Sequence, residues 1–92
     1  MPRTFSNEIV LKEGVHKFVR VGDEYRFCDI RSNINHCDMV SQKEHADAAG
    51  IISIMDEYWY MACWMSMTLG IGCGQREVYE ITKLLGLRMA CQ

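Results

Sequence analysis

The sequence predicts a single α+β domain spanning residues 1–92, of order βββαα: a three-stranded antiparallel meander followed by two helices packed on one sheet face. Three observations lead there. Apolar residues alternate with a period of two from Asn7 to Ile30, with turn residues where hairpins need them. Ile51, Ile54, Met55, Tyr58, Met61, Ala62, Met65 and Leu69 recur at steps of three and four, the period of a helical stripe. Val78, Ile81, Leu84 and Leu85 give the same helical spacing before Gly86.

In chain order, Glu8 to Leu11 reads as a first strand and Lys12-Glu13-Gly14 as a three-residue connection. Val15 to Val21 reads as the second strand, Gly22-Asp23 as a two-residue loop and Glu24 to Ile30 as the third strand. That loop sets a register in which Val21 faces Glu24, Arg20 faces Tyr25, Val19 faces Arg26, Phe18 faces Phe27, Lys17 faces Cys28, His16 faces Asp29 and Val15 faces Ile30. One face then carries Ile9, Leu11, Val15, Val19, Val21, Cys28 and Ile30, and is expected to be the core face. The other carries Val10, Phe18, Tyr25 and Phe27 among Glu8, His16, Arg20 and Asp29, and is expected to be partly exposed.

Arg31 to Val40 is polar and irregular, a connecting loop. Ser41-Gln42-Lys43-Glu44 matches a capping box, so a long helix is expected from about Gln42, with a weak point at Gly50. The segment Gly70-Ile71-Cys73 with Gly72 and Gly74 ends that helix, and a second helix runs from about Gln75 to Leu85.

Composition narrows the function classes. Forty-nine per cent hydrophobic and 24% charged residues describe a chain that folds, not a disordered one. The net charge of -2 is uneven: residues 36–74 hold one Lys/Arg against five Asp/Glu, which argues against a nucleic-acid-binding helix there. MPRTFSNEIV has no apolar run of signal-peptide length, so the cytoplasm is the expected location, the host cytosol for a phage-encoded chain. The five cysteines, an odd number, are expected as reduced thiols. Tyr58 to Gly74 is 17 residues long without a charge, yet poor in Leu, Ile and Val, and no membrane span is expected.

Chemistry-bearing patterns are sparse. The glycine-rich segment lacks the Gly-Lys-Ser/Thr ending of a phosphate loop and follows an expected helix, not a strand. Cys28, His36, Cys37 and His45 lack the paired spacing of a zinc site. His16 opposite Asp29 has no nucleophile beside it, and Asp56-Glu57 reads as a solvated helix edge. QREVYEITKLLGL resembles the first helix and turn of a helix-turn-helix module over 13 of 92 residues, but the six residues after Gly86 leave no room for a recognition helix. Neither an enzyme nor a cofactor is expected.

The leading expectation is a non-catalytic interaction module that inhibits a larger protein or ribonucleoprotein complex, with contact extending to nucleic acid held in that complex. Small inhibitors encoded by phages or mobile elements, anti-CRISPR proteins among them, fit this description. Its partner-binding surface is placed on Lys17, Phe18, Arg20, Tyr25, Arg26, Phe27 and Arg31, aromatic rings beside arginines being rich in binding hot spots. The bland alternative is that the Phe18–Phe27 pair only stabilises a hairpin. Met55, Met61, Met65 and Met67 with Trp59 and Trp64 are either sandwiched in the core or leave Trp59, Cys63 and Met67 to meet another protein or a second copy of the chain. A nucleic-acid-associated regulator using the basic sheet residues, and a metal protein using Cys28, His36 and Cys37, are the alternatives.

Overall fold

The computed structural model describes residues 12–90. The first expected strand, Glu8 to Leu11, lies outside them, as do Ile9, Val10 and Cys91.

The hairpin forms as its turn chemistry requires. Strands β1 (Gly14–Val21) and β2 (Glu24–Asp29) pair antiparallel from His16↔Asp29 to Val21↔Glu24, the expected register residue by residue. Gly22 sits at φ +62, where an L side chain is strained and glycine is not.

Beyond this hairpin the architecture is not βββαα. The expected long helix is replaced by two antiparallel strands, β3 (Ala48–Met55) and β4 (Tyr58–Cys63), joined at Asp56-Glu57 with Asp56 at φ +57. A small hairpin follows, β5 (Met65–Ser66) with β6 (Ile71–Gly72). Then come one helix, α1 (Gln75–Leu85), and a short strand β7 (Arg88–Met89) parallel to β4. The main sheet is mixed, in the order β2-β1-β3-β4-β7.

The helical reading fails for a physical reason. Strand β3 lies in the middle of the sheet with both faces covered, so it is apolar at nearly every position and satisfies a period of 3.6 as well as a period of two. Ile52 and Ile54 face Met61 and Trp59 across the strand pair and lie under α1. The intervening Ile51, Ser53 and Met55 turn to the opposite face. β-Branched isoleucines favour the strand, and the charged pair Asp56-Glu57 makes the turn, not a helix edge. Ser41 and Glu44 do exchange their capping-box bond, Ser41 N–H to Glu44 Oε1 at 3.0 Å, but it closes a turn and starts no helix. Gly50, expected to weaken a helix, sits where β3, β4 and the Phe18 ring meet most closely.

The expected face assignment is also corrected. Phe18, Tyr25 and Phe27 lie in the main core with Ile52, Ile54, Trp59, Met61 and Ile81 of α1. The face expected to hold the core carries a second, smaller cluster, Val19, Cys28, Met39 and Ala49, covered by the 3₁₀ turn His36–Met39 and by Leu69 and Ile71. An α+β layering with helix on one face and loops plus a hairpin on the other accounts for both. Helix α1 itself is as expected: it ends at Gly86, φ +69, whose N–H donates to Thr82 O at 3.0 Å.

Candidate functional site

The seven residues singled out in the sequence do not form one surface. Phe18, Tyr25 and Phe27 pack ring against ring at centroid separations of 6.1 to 6.3 Å beneath α1. Arg20 is 8% exposed; its Nε donates to Glu77 Oε2 at 2.9 Å, while Glu77 Oε1 accepts the Gly74 N–H at 2.7 Å. One carboxylate thereby caps α1 and neutralises a buried guanidinium. Tyr25 Oη donates to Glu80, and burial, reinforced by that carboxylate, pushes its phenol upward. Arg76 joins Asp23 at 2.9 Å to Glu80 at 3.1 Å, completing the polar seam that fastens the helix to the first hairpin.

Lys17 and Arg26 point to the opposite face. Lys17 Nζ donates to Ile34 O at 2.6 Å, and Arg26 holds Glu44 with two bonds of 2.7 and 2.6 Å. That guanidinium keeps the Glu44 carboxyl down at about 2. Arg31 is exposed and pairs with Asp29 at 3.3 Å. Arg20, Arg26, Arg31 and Arg76 therefore each face a carboxylate.

The thiols and imidazoles proposed for a metal are separated. Cys28 is buried with its Sγ 3.7 Å from Met39 Sδ, Cys37 is exposed, and His36 is buried with Nε2 2.8 Å from Gly50 O. Burial lowers the His36 pKa. Among the described residues no group of three or more His, Cys, Asp and Glu side chains converges. His16, opposite Asp29 as expected, has Nε2 2.7 Å from Lys12 O.

The surface that stands out lies on the β5–β6 hairpin. Trp64 is 45% exposed, Met65 55% and Met67 92%, with Cys63 also exposed. The same hairpin supplies Leu69 and Ile71 to a groove of about 320 Å³, whose other wall is Cys37, Val40, Ser41, Glu44, His45 and Ala46. This volume is that of a small binding cleft. Trp59, grouped in the sequence with Cys63 and Met67 as a contact, is fully buried, its Nε1 donating to Thr82 Oγ1 at 3.1 Å. A dimer through a Met/Trp-rich helix has no helix to use. The signal for the hairpin was present in the sequence as an uncharged, methionine-rich run, but a helical period hides which of its members return to solvent.

No helix among the described residues is long and apolar enough to cross a membrane. No family model, curated protein or solved structure matches the chain.

Proposed function

We propose that the chain is a non-catalytic interaction module that works by covering an uncharged, apolar surface of a larger protein with its β5–β6 hairpin. The observation that carries this reading is the exposure of Trp64, Met65 and Met67 at the start of the hairpin that also contributes Leu69 and Ile71 to the groove. Each such side chain gains roughly 1.5 to 3 kcal/mol when buried, so leaving three in water on one short segment is costly unless a partner covers them. Tryptophan is the residue type most enriched among binding hot spots, and methionine adapts to irregular surfaces. The partner's chemistry follows from the charge pattern: residues 58–74 hold no charged side chain, and Arg20, Arg26, Arg31 and Arg76 are engaged by this chain's own carboxylates. Inhibition of a larger protein or ribonucleoprotein complex is the biological form this module takes, in the manner of small phage-encoded inhibitors. The cytoplasm is its proposed place of action.

The test is a comparative capture. Tagged parent protein and the variants Met67→Glu and Trp64→Ala are used as baits at low and high salt. The reading expects a protein retained by the parent at high salt and lost by at least about tenfold from both variants, with unchanged thermal unfolding. Equal capture by parent and variants removes the hairpin as the contact. Capture of nucleic acid alone, lost at high salt, overturns the reading in favour of electrostatic binding.

A further inference from the structure

The methionines of this chain differ sharply in their access to solvent. Met39 is 1% exposed and Met61 6%, and each thioether lies 3.7 Å from a thiol, Met39 Sδ from Cys28 Sγ and Met61 Sδ from Cys73 Sγ. Met55, Met65 and Met67 stand in water at 57%, 55% and 92% exposure. Two of these three flank Ser66 on the β5–β6 hairpin. Ser66 is fully buried, so its neighbours on either side point outward, successive residues of an extended chain alternating in direction.

Other groups hold the hairpin in shape. Gly70 N–H donates to Ser66 O at 2.8 Å and Leu69 N–H to Ser66 Oγ at 3.2 Å, while Leu69 and Ile71 anchor the segment to the cluster of Val19, Cys28, Met39 and Ala49. A chemical change at the two outward thioethers therefore alters the face that the hairpin presents without removing what fixes its backbone.

We propose that Met67 and Met65 are a modification site for peroxide, whose conversion to sulfoxides switches off the apolar face of the hairpin. The step needs only the oxidant and an accessible sulfur. A sulfur lone pair attacks one oxygen of hydrogen peroxide, the O–O bond breaks, and the departing hydroxide takes the hydroxyl proton and leaves as water. The sulfur gives up two electrons, the peroxide accepts two, and each methionine gains one oxygen. The product is a polar S–O group on a run, residues 58–74, that has no charged side chain to receive it, and burying that group against an apolar partner is unfavourable. Methionine sulfoxide reductases return the thioether, which makes the change reversible. Where oxidation occurs rests on exposure; what it does to a partner rests on the docking reading.

The experiment times oxidation of the folded protein by dilute hydrogen peroxide, with dithiothreitol reduction of the thiols and peptide mass mapping. A gain of about 16 Da is expected at Met67 first and then at Met65, each at least about tenfold faster than at Met39 and Met61. Retention on phenyl resin, the probe of the apolar face, is followed in a Met55→Leu background, which removes the exposed thioether outside the hairpin. Peroxide is expected to lower that retention with unchanged circular dichroism, and the reductases to restore it. When Met65→Leu and Met67→Leu are added, near-isosteric changes that leave the same thiols, peroxide is expected to have no effect relative to the untreated sample of that variant. Oxidation of Met67 and Met65 no faster than of Met39 and Met61 overturns the site. So does retention that oxidation leaves unchanged, that falls equally in the leucine variant, or that the reductases fail to restore. Selective oxidation with falling retention, beside lysate capture that ignores Met67→Glu, keeps the modification site and discards the docking reading alone.

Discussion

Substituting Gly50 by alanine distinguishes a sheet from a helix by the sign of the effect. An added Cβ would lie 2.9 Å from the carbonyl oxygen of Cys63, 2.9 Å from Phe18 Cε2 and 3.1 Å from Cys73 Sγ. The first of these is backbone of the neighbouring strand, which moves only by disturbing the pairing of β3 with β4. Overpacking of this kind costs about 1 to 3 kcal/mol, and a backbone obstacle places it toward the upper end. Reduced freedom of the unfolded chain returns about 0.4 to 1 kcal/mol. The net expectation for Gly50→Ala is a loss of about 2 kcal/mol. For a domain of this size that lowers Tm by about 8 to 16 °C. It also lowers the urea midpoint by about 2 M at an m-value near 1 kcal/mol/M. In the middle of a helix the same change would raise stability by about 1 kcal/mol. Equilibrium urea unfolding followed by tryptophan fluorescence, in which buried Trp59 becomes exposed, is the assay. A variant as stable as the parent, or more so, refutes the close approach at Gly50 and the strand pairing built on it.

Two further outcomes are expected. Arg20→Met strands the Glu77 carboxylate in a site only 5% exposed and should cost about 3 to 5 kcal/mol, whereas Arg20→Met combined with Glu77→Met should recover most of it; calorimetric unfolding of both variants checks this. His36 has its folded pKa below the ordinary 6.5, so the unfolded chain binds the extra proton: its stabilising contribution is complete above about pH 6.5 and is lost as pH falls from there through the lower folded pKa. Glu44, held at about 2 against an ordinary 4.5, contributes above 4.5 and loses its contribution between there and about pH 2. Urea midpoints across pH should therefore decline in two stages, and His36→Gln should flatten the upper stage alone; an unchanged upper stage in that variant would remove His36 as its origin.

Where local chemistry decides a structure, the chain announced it. The β1–β2 register follows from Gly22-Asp23, because a two-residue loop leaves one pairing, and the last helix follows from the spacing of Val78, Ile81 and Leu85 and from Gly86. What local chemistry leaves open was settled by distant contacts. Residues 48–63 are apolar at too many positions for any period to single out a helix or a strand, and it is the burial of β3 between α1 on one face and Met39, Leu69 and Ile71 on the other that goes with the strand. The same contacts chose the sides of the sheet. Phe18, Tyr25 and Phe27 look like a contact surface next to Arg20 until Glu77, 57 positions away, arrives to neutralise that arginine and brings the helix that covers the rings.

The candidate site shows the same division. Its composition, an uncharged run rich in methionine, cysteine and tryptophan, is visible in the chain. Which of those side chains face water, and which sulfurs meet, is not, because Trp59 is covered by α1 while Trp64 stands at the bend between β4 and β5, and that difference comes from contacts distant in the chain. The sequence by itself determined the first hairpin, the final helix and the absence of charge along the exposed segment, since each depends on residues a few positions apart. Tertiary structure alone decided the central strands, the buried Arg20–Glu77 pair and the Met61–Cys73 contact, since each depends on groups whose proximity is created by closing the sheet.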